Sequence, residues 1–342
     1  MLNSEQDVSS NSKAEKNLKA LVRKVTGVFL VPPEGQKILL AFNENTKDVP
    51  SPVKEIADAF HANIVGLLST VSFPYFLAHS AAVDKIYQRI RMAEGIRALK
   101  IDSEPNESET ALEARRADTA KQIADDKMAE FVQSSEGRND LIGDSLSFLD
   151  RSLKNQSLSE SANELILQGI VLCWGDFEVL VRDTFVTLLN LRPSLAELLL
   201  KDTVAKRRFE LAKISLETLA THGFNLSGKM GTILSEQQDL SDLHSIKAVY
   251  EALFPNDSKL RSALSETDLR VLSQRRNLVV HRRGLIDETY IKAVNCAQKH
   301  GEKIRVAPDE LENHIEKASH AASWVLVASA NILSSPNATT SG

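Results

Sequence analysis

Ile170, Trp174, Phe177, Val181, Phe185 and Leu188 follow one another three or four places apart. That is the spacing of a helix with a wide apolar face meant for a core. The same period predicts helices at about 160–192, 194–222, 235–254, 265–283 and 309–333, joined by short extended pieces. Pro308 suits the start of the last of these. Ser265 and Asp268 stand at capping-box-like spacing before the fourth, and Gly284 is placed to end it. Together these elements predict a mainly α chain whose C-terminal part is a four- to five-helix bundle.

Further upstream the pattern changes. The runs V-T-G-V-F-L-V and K-I-L-L-A-F around Pro32, Pro33 and Gly35 predict a strand pair, followed by two apolar helices up to Ile101. The aromatic segment at Phe73, Pro74, Tyr75 and Phe76 reads as packing. A polar break at 102–106 precedes a highly charged helix through Glu109, Glu113, Arg115, Arg116, Lys121 and Lys127, expected on the surface or as a connecting arm. Two more polar breaks, around Gly137 and at K-N-Q-S-L-S-E-S, put the domain boundary near Gln156. The organisation expected is a disordered 1–16, a mostly helical N-terminal region 17–155, a helical domain 156–335 and a disordered tail 336–342.

A chain of 342 residues has room for two domains, and 42% hydrophobic with 25% charged residues is the composition of an ordinary globular protein. Its net charge of -5 supplies no global basic field, so any nucleic-acid contact must be local. The two cysteines, Cys173 and Cys296, suggest neither a disulfide framework nor a zinc site, and Cys173 falls on the apolar helix face. The histidines show no metal-ligand spacing. His314 and His320 read as surface or packing residues, and no Gly-rich phosphate loop or G-x-S-x-G is present, so no metal and no cofactor is expected. The opening residues are polar, unlike a signal peptide. The apolar run A-A-S-W-V-L-V-A-S-A-N-I-L is shorter than the roughly 20 residues that span a bilayer, which predicts a cytoplasmic protein without a membrane partner.

The chemistry concentrates in R-N-L-V-V-H, residues 276–281. At about 100° per residue, Leu269, Leu272, Arg276, Val279 and Val280 form one stripe, so Arg276 interrupts an apolar face. A half-buried guanidinium there needs a carboxylate, a carbonyl or a phosphate. Glu178, at the margin of the Trp174 helix face, is a candidate for that carboxylate, the alternatives being a solvated Glu178 or its pairing with Arg182 at i+4. Asn277 and His281 are four apart and therefore neighbours. The imidazole titrates near neutrality and can move a proton. Arg275, Arg282 and Arg283 make the end of this helix basic, while Lys206, Arg207 and Arg208 read as a solvated face. Trp174 and Phe177 read as core rather than as base-stacking platforms.

Residues 161–335 resemble the HEPN superfamily of small helical domains, through the order of three features. These are the helix V-L-C-W-G-D-F-E-V-L-V-R-D-T-F, the R-x4-H motif with a polar residue after the arginine (Arg276, Asn277, His281), and H-R-R-G-L-I-D-E-T-Y leading into G-E-K-I-R-V-A-P-D-E-L. The resemblance implies a homodimer that brings two motifs to one cleft and cuts RNA without a metal. His281 would be the acid or base, Arg276 the charge stabiliser and Asn277 a supporting group. It also implies a bacterial toxin or antiphage effector, with an antitoxin or regulatory protein as a further partner. The alternative is a non-catalytic helical module that binds RNA or a protein.

Overall fold

The computed structural model describes residues 19–32, 36–209, 215–237 and 240–335. The expected disordered termini, and the turn residues Pro33 and Gly35, lie outside these. Among the described residues the chain is mainly α, with no strand and a single isolated antiparallel bridge between Leu285 and Lys303. The expected strand pair does not form: the second run, 37–42, is helical within α2 (Gln36–Thr46), and the first, 25–31, leaves the end of α1 (19–26) through a turn into chain without regular structure. In α2 Leu39 and Phe42 are buried three places apart, so the period of burial there is that of a helix. Short apolar runs do not distinguish the two states by themselves.

Two compact units form. The first comprises 1–31 and 72–162, the second 32–71 and 163–342. The grouping differs from a single division near Gln156, in that 32–71 falls with the C-terminal helices.

In the first unit α4 (Phe73–Ala98) packs against α5 (Glu109–Gln133) and α6 (Ser135–Ser152). Its core gathers Val25, Phe29, Ala78, Leu146 and Leu149, with Ala82, Ile86 and Leu141 further along. Glu94 is buried, and Arg97 and Lys127 both pair with it. Ser134 caps α6 by accepting the Gly137 N–H at 2.9 Å. At Gly137 an added Cβ would fall 1.9 Å from the Phe131 carbonyl oxygen. Gly137→Ala is therefore expected to destabilise the chain by about 3 kcal/mol, the upper end of overpacking costs. Chemical denaturation checks it, and a variant as stable as the parent would refute the close approach at this corner.

The second unit is built around α16 (Pro308–Ser334), which lies against α2, α3 (Val53–Val71), α13 (Ser258–Leu264) and α14 (Thr267–Arg282). Leu311, Ile315, Ala318, Ala322, Val325 and Leu326 are all fully buried on it. Its many Ala and Ser positions let neighbours approach closely. The long α7 (Gln156–Leu191) begins in the first unit and contributes the rest of its length here. Cys173, Trp174, Phe177, Val181 and Phe185 are each 0% exposed. Trp174 donates from Nε1 to the Ser241 carbonyl at 3.2 Å, so its polar edge is satisfied inside the core.

Two expected helices are broken up. In place of 194–222 the chain makes a short 3-10 turn at Pro193–Leu195, then α8 (Ala196–Lys201), α9 (Thr203–Phe209) and α10 (Leu216–Thr221). In place of 235–254 it makes α11 (Met230–Gln237) and α12 (Leu243–Leu253). The restarts fall at side chains that accept backbone N–H groups. Asp202 Oδ1 takes those of Val204 and Ala205, Ser215 that of Thr218, and Asp242 that of Ser245. Pro308 does begin α16, with Glu310 reaching back to the Ala307 N–H at 2.9 Å.

Candidate functional site

The site lies on α14. Its N-cap is Glu266, without a side-chain cap bond, and Ser265 instead closes α13, so the expected capping box is absent. At its other end Arg283 (φ 54°) and Gly284 (φ 76°) both take left-handed backbone. Their N–H groups converge on the Leu278 carbonyl. The helix thus stops where glycine was expected to stop it, with arginine taking the first left-handed position.

Its buried face comprises Leu269, Leu272, Ser273 and Leu278. Val280, expected on the apolar stripe, is 47% exposed. Arg276 is half-sheltered at that face, and the carboxylate expected for it is present. Its Nη2 donates to Glu178 Oε2 on α7 at 3.3 Å, the two side chains being 21% and 18% exposed. Arg276 Nη1 also donates to Asn277 Oδ1 at 3.1 Å. These two bonds use only part of the guanidinium's donor set, leaving N–H groups for an added anion. Arg182, the alternative partner for Glu178, pairs with Asp183. His281, one turn beyond Asn277, is exposed, as are Arg282 and Arg283. Arg282 Nε stands 3.5 Å from Asp287 Oδ2.

Arg275 was expected to bind RNA, and the structure places it elsewhere. Its side chain is 11% exposed and enters a polar cluster beneath the motif helix. Nη2 donates to Glu310 Oε1, Nη1 to His314 Nε2 at 2.8 Å, and Nε to the Tyr290 hydroxyl at 3.4 Å. The neighbouring positions 275 and 276 point about 100° apart on a helix, so one arginine turns into the α14–α15–α16 junction and the other toward α7; α15 is Glu288–Val294. His314 is 2% exposed. Burial, and next the Arg275 charge, hold its pKa down to about 4. It is therefore the neutral imidazole that accepts from Arg275. His314 is a packing residue with a defined polar role, which its spacing from His320 did not reveal. His320 Nε2 accepts from Trp324 Nε1 at 3.0 Å.

The remaining candidates divide simply. Trp174 and Phe177 lie in the core, their rings tilted at 5.7 Å between centroids. Lys206 and Arg207 are exposed on α9, whereas the Arg208 side chain lies outside the described residues. Among the described residues no single helix is long and apolar enough to cross a membrane. At the far end of α14, an open cleft of about 190 Å³ is lined by Phe42, Asn45, Glu266, Lys317 and His320 among others.

Fold and site together define a mainly α protein that presents an Arg-Asn-His motif on one helix, its arginine braced by a carboxylate from a second. No family model, no curated protein and no solved structure matches the chain.

Proposed function

We propose that this chain is a cytoplasmic endoribonuclease of the HEPN type, acting through α14 without a metal. The observation that carries the reading is a braced arginine and an exposed histidine carried on one helix. Arg276 is aimed by Glu178 and keeps donors to spare, and His281 stands in solvent at the end of the same helix. In the proposed reaction a base removes the proton of a ribose 2′-hydroxyl, and that oxygen attacks the adjacent phosphorus. The P–O5′ bond breaks and the departing oxygen takes up a proton. The products are a 2′,3′-cyclic phosphate and a free 5′-hydroxyl.

Two proton transfers on opposite sides of the phosphorus call for two groups. One helix offers one exposed imidazole. A homodimer that brings the partner's copy of the motif to the same phosphate would supply the other. Arg276 meets the charge that grows on the phosphorane oxygens, where prepositioned donors act most strongly. Asn277, bonded to Arg276, positions it. A bacterial toxin or antiphage role, restrained by an antitoxin or regulatory protein, fits this activity.

The test is direct. The full-length chain is incubated with labelled RNA in chelator, and the ends are identified by whether the new 5′ end accepts a phosphate and the new 3′ end resists ligation. Cyclic phosphate and 5′-hydroxyl ends are expected; intact RNA across substrates would end the proposal. The Glu178 bond also favours a second reading, a non-catalytic RNA- or protein-binding module in which Arg276 only ties α14 to α7. Glu178→Gln separates the two. Under the nuclease reading the variant lowers kcat more than it raises KM, because it loosens the aim of Arg276. Under the structural reading it changes thermal stability alone.

A further inference from the structure

Beyond α14 the chain returns to the motif in a way that local spacing does not reveal. The stretch 303–306 is extended and alternates, with Ile304 and Val306 buried and Lys303 and Arg305 exposed. Its register is pinned on both edges. Ile304 N–H donates to the Gly284 carbonyl at 2.8 Å, and Ile286 N–H donates to the Glu302 carbonyl at 3.0 Å. The Gln298 side chain bonds both the N–H and the carbonyl of Arg305, each at 2.9 Å. Asn163 Nδ2 donates to the Ile304 carbonyl at 3.3 Å. Lys303 therefore crosses the end of the motif helix: a Cβ at Gly284 would lie 3.8 Å from Lys303 Cε and 3.3 Å from Ile304 Cγ2. Glycine at 284 makes that crossing possible.

Arg283, Lys303 and Arg305 are each exposed, on two backbone segments that the Leu285–Lys303 bridge and the Ile304–Gly284 bond hold side by side from two residues after His281. The chain as a whole carries -5, so these charges are a local feature and not a sample of general basicity. One counter-charge is built in: Glu164 on α7 forms an ion pair with Lys303, the two side chains being 47% and 48% exposed. Glu302 lies nearby, its Oε2 accepting from the Lys299 N–H at 3.1 Å. Alternate residues of an extended backbone stand roughly 6.5–7 Å apart, close to the separation of successive phosphates in a stretched single strand.

We infer that Arg283, Lys303 and Arg305 are the track along which the sugar-phosphate backbone of single-stranded RNA reaches His281, and that Glu164 weakens this hold by competing for Lys303. The inference rests on the nuclease reading of the same site. Contacts of this kind position the strand without reading its bases.

The test measures binding apart from cleavage, in a His281→Ala background, using a fluorescent single-stranded oligoribonucleotide at several salt concentrations. Arg305→Glu is expected to weaken binding about ten-fold in low salt and to reduce the salt slope by about 0.7 for each phosphate that is no longer neutralised. Glu164→Gln, which preserves shape, is expected to tighten binding two- to five-fold, a gain that a damaged fold would not produce. In the parent background, Arg305→Glu raises KM and leaves kcat at saturation unchanged. If the oligonucleotide binds but neither variant moves Kd or slope, the track is wrong and the nuclease reading stands. Preference for duplex over single strand also overturns the track. If the His281→Ala protein binds no RNA and the parent cuts none, the nuclease reading falls and the track with it.

Discussion

His281→Ala is expected to lower RNA cleavage by about 10²–10⁴-fold, the usual contribution of a general acid or base, while leaving folding intact. His281 is exposed at the last turn of α14, so removing its ring opens no cavity. A substitution of that kind normally changes stability by less than about 0.5 kcal/mol. Rate and thermal melt, measured on the same preparation, separate chemistry from unfolding. Arg276→Ala should also cost about 10²–10³-fold. There the melt matters more, because Glu178, 18% exposed in the intact pair, would lose its guanidinium partner. Full activity in a folded His281→Ala protein would remove the imidazole from the reaction, and the proposal with it.

The second large effect belongs to an arginine that touches no substrate. Arg275→Ala should cost about 2–3 kcal/mol of folding stability. Breaking a buried pair typically costs about 3–5 kcal/mol, and the 44% exposure of Glu310 lets water replace part of what is removed. Arg283→Ala, by contrast, should leave the melt unmoved and weaken RNA binding. If Arg275→Ala melts with the parent, the polar cluster under α14 does not hold the helices together.

The same cluster sets a pH dependence. His314 has a folded pKa of about 4, below its ordinary 6.5. The unfolded chain therefore binds the extra proton between those values. The stability that neutral His314 contributes is present above about pH 6.5 and lost as pH falls toward 4. Burial raises the Asp176 carboxyl to about 6, which acts in the opposite direction over much of that window. The comparison must accordingly be made against His314→Asn, whose stability should fall less steeply with acid than the parent's. Equal slopes would contradict the buried, neutral state of His314.

Much of this was legible in the chain itself. The core face of α7 was readable from its period, because apolar side chains at i, i+3 and i+4 have one place to go. The Glu178–Arg276 pair was readable from two charges at the margins of apolar faces, since each needs the other once sheltered. Other features were not. Arg275 and Arg276 are adjacent and identical in sequence, and only the position of α16 decides that one is enclosed by Glu310, His314 and Tyr290. Asp202, Ser215 and Asp242 divided what the apolar pattern presented as continuous helices. Periodicity averages over a window, whereas a capping side chain acts at one residue.

Sequence alone therefore determined the helical class, the core stripe of α7, the end of α14 at Arg283 and Gly284, and the residues of the motif. These depend on local spacing, which any α-helix converts into a face. Tertiary structure alone decided that 32–71 joins the C-terminal helices, that Arg275 is walled in, and that Lys303 crosses Gly284 at the end of the motif helix. Those facts join residues tens of positions apart, and no local period records which distant segment will fill a given gap.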